Sequence, residues 1–263
     1  MEVAAWLDAH PHLRALVPGT PLHVREVGDG NLNLVFIVRD YPGRPGLVLK
    51  QSLPWVRVFG EGWPLTLERA RHEADAYEVY QAFAADAIPV YHGFDPESYV
   101  IAMEDLADLR IWRGALNDGE IHPGTAAVLG RFVARVAIHT SDLGLDPEVR
   151  KHRLAKTVNP ELCRITEELV LTDPFAGHER NHHVPGIEPL VRELQGDDAV
   201  RLAAATLKHR FLTGAEAHGH VGLRAAAVAS VGGPNQAHGD RVGCEERDAH
   251  DGPPLHVAAA VAA

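Results

Sequence analysis

Gly28-Asp29-Gly30-Asn31-Leu32-Asn33 separates two runs of β-type residues, His23 to Val27 and Leu34 to Arg39, and a third run, from Leu47, ends on Lys50. A phosphate needs backbone N–H donors at close range, and glycine lets the chain approach without a Cβ in the way. A lysine on a later strand can bring a full charge to the same anion. An Asp-Gly turn between apolar alternations is also the commonest hairpin signal. The turn alone therefore fits an ordinary hairpin as well as a phosphate cradle, and its neighbours have to decide.

Outward from the turn, residues 22–59 read as strand-rich. Residues 1–20 read as helical, with Val3, Trp6 and Leu7, then Leu13, Leu16 and Val17, interrupted by Pro11. Gly60-Glu61-Gly62-Trp63-Pro64 is a loop. Thr66 is placed to cap a helix from about Leu67 to Ala85, whose apolar face is Leu67, Ala70, Ala74, Tyr77 and Phe83. Ile88-Pro89-Val90 and Ser98 to Met103 read as strands around the Asp95-Pro96 turn. Strands, helix, strands is the order of a small β-rich lobe rather than of a βαβ sheet. From about Pro123 the pattern is helical: Ala126, Leu129, Phe132, Val133, Val136 and Ala137, then Leu162 to Leu171, then Asp197 to Phe211 with Asp197 as cap. Asn181-His182-His183 reads as a solvated polar loop.

The chain has 263 residues, 46% hydrophobic and 23% charged, ordinary values for a globular protein. A net charge of −11 argues against nucleic acid as partner, because phosphate backbones need a basic surface. One nucleotide needs only local positive charge. Cys163 and Cys244 make neither a C-x-x-C motif nor a disulfide framework. With no basic n-region after Met1 and no apolar run of about 18 residues, the expectation is a cytoplasmic chain without a membrane span.

Two further features turn the weight toward a nucleotide site. Glu73 lies on the helix after the Lys50 strand, and a kinase-type site holds its strand lysine with a helix glutamate. Val100-Ile101-Ala102-Met103 empties into Glu104-Asp105-Leu106, a polar connector of the kind whose backbone holds adenine. Each has a plainer reading, a solvated helix glutamate and a strand followed by a turn.

The strings GDGNLNLVF (28–36), LVLKQSLPWVRVFGEGWPLTLERARHEA (47–74), MEDLADLRIWR (103–113), NPELCRITEELVLTDPF (159–175) and LKHRFLTGAEA (207–217) closely resemble 5-methylthioribose kinases. The resemblance runs in order from about Val24 to Ala217, and its DGNLN turn and GEGWPLT loop are its most specific parts. It implies an α+β, bilobal protein-kinase-like fold: a β-rich, ATP-binding N-lobe (1–106), a partial helical C-lobe (107–214) and an aberrant, low-complexity, disordered tail (215–263). It implies phosphorylation of the 1-hydroxyl of 5-methylthioribose by ATP with magnesium, in methionine salvage, by a homodimer. On this resemblance Asn33 and Lys50 contact ATP, Glu104, Asp105 and Leu106 bind adenine through their backbone, and Glu73 supports Lys50.

The resemblance stops near Ala217. The family continues into a catalytic loop HGDLHTGS and a magnesium-binding DPEF, whereas this chain continues Ala217-His218-Gly219-His220-Val221-Gly222-Leu223-Arg224. Aromatic residues end at Phe211, and the tail is rich in Ala, Gly, Val and His. Drift would keep hydrophobic periodicity, whereas a reading-frame shift replaces it at once. The expectations are therefore a frameshift after about Ala217 and an inactive chain. His238-Gly239-Asp240 is the one later His-Gly-Asp, which leaves Asp240 the only, weak, catalytic candidate, and no metal ligand is identified. The alternatives are a nucleotide-binding pseudokinase, a non-functional fragment, and a kinase-like phosphotransferase for an aminoglycoside or choline-type substrate.

Overall fold

The computed structural model describes residues 2–28, 32–57, 60–107 and 109–213. Asp29, Gly30 and Asn31 of the turn, the tail and Asp240 lie outside the described residues.

The chain is α+β. Its strands are β1 (His23–Val27), β2 (Asn33–Arg39), β3 (Leu47–Ser52), β4 (Tyr91–Asp95) and β5 (Val100–Glu104), joined as one antiparallel sheet in the order β1-β2-β3-β5-β4. Successive side chains of a strand point to opposite faces, and each face of this sheet packs against helices, while β1 at its edge stays largely exposed. On one face Val38, Leu47, Leu49, Val100 and Ala102 enclose Val3 and Leu7 of α1 (Val3–Asp8) and Leu13 of α2 (Pro11–Arg14). On the other, Ile101 and Met103 meet Ala74, Tyr77 and Tyr80 of α3 (Arg69–Ala84). Tyr77 is wholly enclosed and stacks on Tyr91 with ring centroids 5.7 Å apart.

The expected strand at Ile88-Pro89-Val90 is not one; β4 starts at Tyr91. Pro89 has no N–H to give a ladder. Val90 instead exchanges backbone and side-chain bonds with Glu104: its carbonyl accepts from the Glu104 N–H (2.9 Å) and its N–H donates to Glu104 Oε2 (3.0 Å). Thr66 sits two residues before α3 rather than at its cap, with Oγ1 accepting from the Glu68 N–H at 3.2 Å.

Beyond the sheet the described chain is helical: α4 (Trp112–Asn117), α5 (Thr125–Thr140), α6 (Pro147–Lys156), α7 (Pro160–Leu169), α8 (Glu188–Gly196) and α9 (Asp198–Thr213). Three starts are written in the sequence. Asp146 and Asn159 each precede a proline at the first helical position and cap the N–H of Glu148 (2.8 Å) and of Leu162 (3.3 Å). Asp197 caps α9 as expected, accepting from Ala199 and Val200. α5 docks on α3 through Phe132 against Tyr80, ring centroids 5.2 Å apart. The Asn181-His182-His183 expectation needs one correction. The two histidines are exposed, but Asn181 Nδ2 donates to the carbonyls of Asp173 (2.6 Å) and Ala176 (2.7 Å), closing the loop around the turn at Asp173–Phe175.

Candidate functional site

The sheet face under α3 carries the candidate residues. Register places Val35 opposite Lys50, Ile37 opposite Val48 and Asn33 opposite Ser52, so Asn33, Lys50 and Ser52 share that face. α3 crosses it with Glu73 toward β3. Lys50 Nζ donates to Glu73 Oε1 at 2.7 Å, with the lysine side chain 6% exposed and the glutamate 23%. An ammonium this enclosed needs an anion, and the glutamate supplies one while leaving the lysine's other two protons for a ligand.

The connector lies at the other end of the sheet. Lys50 stands three residues along β3 from Leu47, about 10 Å at 3.4 Å per residue, and Leu47 pairs with Glu104. At this end an open cavity of about 590 Å³ is lined by His23, Arg25, Ile37, Arg39 and Ala107. Arg25 faces Ile37 and His23 faces Arg39 across β1 and β2, so its floor is the face that holds Lys50.

The Asp105 side chain has a structural role beyond the backbone contact expected of this residue. Its side chain is fully buried and works as a clamp. One oxygen, Oδ2, accepts from Arg39 Nε at 2.5 Å and from the Gly46 N–H at 3.3 Å; the other accepts from the Ala107 N–H at 2.8 Å. Three chain segments thus meet on one carboxylate. Gly46 is obligatory for this approach, because a Cβ there would fall 2.2 Å from the Val38 carbonyl oxygen. Sequence reasoning expected a backbone contact at Asp105 and missed this side chain. The spacing of Gly46 and Asp105 in the chain gave no hint that they would be neighbours. Glu104 spends both its N–H and its carboxylate on Val90. The Leu106 carbonyl accepts from the Leu109 N–H at 2.9 Å, and the residue is half-buried beside the cavity wall at Ala107.

Asn33 is buried at 8% exposure, its Oδ1 taking Ser52 Oγ (3.1 Å) and Arg69 Nη2 (3.0 Å). The fold thus brings Asn33, Lys50 and Glu73 to one end of the sheet and Glu104 to Leu106 to the other. Arg69 was missed; its only trace in the sequence is its place four residues before Glu73.

The tryptophan loop is stitched beside this end. The Val56 N–H donates to the Trp63 carbonyl (3.0 Å) and the Leu65 N–H to the Pro54 carbonyl (3.0 Å). The Thr66 N–H donates to Glu161 Oε2 of α7 at 2.7 Å, which ties the loop to the helical part.

No protein-family model matches the chain. Among curated proteins it is similar to the methylthioribose kinases of Citrobacter koseri (46% identical over 212 residues) and of Enterobacter sp. strain 638 (43% over 212 residues). The methylthioribose kinase of Geobacillus kaustophilus is 42% identical over 210 residues. Each match covers 80% of this chain and 53% of the relative. The chain spans about half the length of the curated relatives it matches, and over those matched residues it is similar to methylthioribose kinases.

Proposed function

We propose that this chain carries the nucleotide-binding part of an ATP-dependent small-molecule kinase, with 5-methylthioribose as the phosphate acceptor. The observation that carries it is the enclosed Lys50–Glu73 pair at one end of a sheet face whose other end opens into a cavity beside the connector. The acceptor comes from the relatives' names alone. In this reading the base lies at the connector end, between Ile37 and Ala107, with the Leu106 backbone within reach. The phosphates lie at the Lys50 end. Lys50 keeps two N–H donors for phosphate oxygens while Glu73 fixes its rotamer, so positioning and charge neutralisation are what these residues contribute to transfer. Asn33 then acts by holding the strand beneath the phosphates. Magnesium, which phosphoryl transfer calls for, would supply neutralisation of the phosphate charge. Among the described residues no group of three or more His, Cys, Asp or Glu is placed to hold a metal ion, and the reading assigns magnesium no ligand in this chain.

We also propose that residues 1–263 do not turn over on their own. Where the resemblance calls for an aspartate that orients the sugar hydroxyl, His220 stands. Translation of the coding DNA in the other frames beyond Ala217 checks the origin of that change. The nucleotide reading is tested by calorimetric titration of the full chain with ATP and of Lys50→Ala under the same conditions. The expected loss is about 1–3 kcal/mol, the scale of a charge-assisted hydrogen bond. Equal ATP affinity in the two proteins would sink the assignment. Aminoglycoside and choline titrations separate the alternative acceptors.

A further inference from the structure

Arg69 is 4% exposed and makes no ion pair among the described residues. Nη1 donates to the Thr66 carbonyl at 2.7 Å; Nη2 donates to the Leu32 carbonyl at 2.9 Å and to Asn33 Oδ1 at 3.0 Å. Nε is buried with no hydrogen-bond partner among the described residues. A guanidinium buried on neutral oxygens is costly, because its charge is taken from water without a counter-charge. Burial pushes it down to about 10, with Glu73 and Glu161 opposing that shift from a distance. It stays charged at neutral pH.

Its position explains the expense. Arg69 and Glu73 are four residues apart on α3, one above the other on the same face, separated by about 6 Å at 1.5 Å per residue. Ser52 and Lys50 are two residues apart on β3, on one face, separated by about 6.8 Å. The two spacings match, so α3 and β3 meet as a ladder with two rungs. One rung is Glu73 to Lys50, direct. The other is Arg69 to Ser52, through the shared acceptor Asn33 Oδ1. The second rung also takes hold of Leu32 and Asn33, where the chain enters β2, and of Thr66 in the tryptophan loop.

We infer that Arg69 is a positioning residue for the phosphate end of the nucleotide site: it sets the register of α3 on β3 and anchors the start of β2, so that Lys50 meets the phosphates. The inference rests on the nucleotide reading above. It separates Arg69 from a merely structural arginine, because its loss acts on the phosphate end and leaves the connector end, some three residues along the sheet, in place.

The experiment compares the full chain with Arg69→Met, which keeps much of the length without charge, and Arg69→Lys, which keeps the charge but not the fork. Each is titrated with ATP and with adenosine, and its thermal melt is recorded. The expected result is an ATP affinity lower by about ten-fold or more in Arg69→Met, with a smaller loss in Arg69→Lys. Adenosine affinity should stay within about two-fold of the parent in both, since each factor of ten is 1.4 kcal/mol and no contact at the connector is touched. An unchanged ratio of ATP to adenosine affinity overturns the inference, as does a parallel loss of both ligands with a collapsed melt in both variants. A parent chain that binds neither ligand sinks the nucleotide reading and the inference together; parent binding with an unchanged ratio sinks the inference alone.

Discussion

In the strand-bearing part, Leu7, Val17, Val38, Leu47, Leu49 and Tyr77 are completely enclosed. In the helices and turns beyond Trp112, Ile121 is 87% exposed, Leu143 89% and Leu202 69%. Both parts use apolar residues at helical or strand spacing, so patterning does not distinguish them. What does is the number of layers available. The sheet has α1 and α2 on one face and α3 on the other, and each face closes on a partner. Helices α8 and α9 pack on each other and on the turn at Asp173–Phe175, and their outer residues Leu190, Leu194, Leu207 and Leu212 remain exposed. A pattern states which side of an element wants to be buried; only a second layer buries it.

The largest test of that contrast is Tyr77→Ala. The side chain fills the space between α3, β4 and β5, and emptying it should cost about 3–5 kcal/mol, measured by urea unfolding. A loss below about 1 kcal/mol would mean the sheet core is not what holds this part together. Asp105→Ala comes next. It removes the carboxylate shared by Arg39, Gly46 and Ala107 and should cost about 3 kcal/mol, the low end for breaking a buried pair, since Arg39 keeps some water. Asp105→Asn should recover part of that loss, as an amide oxygen still accepts two of the bonds.

A smaller effect is expected from pH. His72 on α3 is held below its ordinary 6.5, chiefly because burial disfavours the charged ring. His92 is shifted the same way for the same reason. For a histidine whose folded value is depressed, the unfolded chain binds more protons between the two values. Stability is therefore full above the unfolded value near 6.5 and falls as pH drops through it. Melts at pH 7.5 and pH 5.5 should differ in that direction, and His72→Gln should narrow the gap. A wider gap in the variant would show that the ring is not the proton acceptor. The smallest effect belongs to Leu143→Ser. At a side chain this exposed, stability should shift by no more than about 0.5 kcal/mol, while binding of an apolar dye should fall. A larger destabilisation would mean Leu143 is covered in solution.

Much of the architecture was legible before the structure. Alternation around the turn gave β1 to β3, and Asp197 marked the start of α9. Pro147 and Pro160 also stood at helix starts with capping residues before them, but α6 was not read from the sequence, because charged residues fill half of its positions. α8 was missed for a similar reason, being short and bounded by Pro185-Gly186. Ile88-Pro89-Val90 misled because two β-favouring side chains outweighed one missing N–H.

From the order of residues alone follow a glycine-bearing turn, a strand lysine and a helix glutamate in succession, and an α+β chain. Local propensity and spacing suffice for that, since each is a property of neighbouring residues. That the Asp105 side chain clamps three segments is decided by the tertiary structure. It alone decided that Arg69 meets Asn33 Oδ1 and, through that shared acceptor, Ser52. Those facts depend on residues 59, 66 and 36 positions apart meeting on single atoms, and a buried charge finds its partners through packing that no local pattern records.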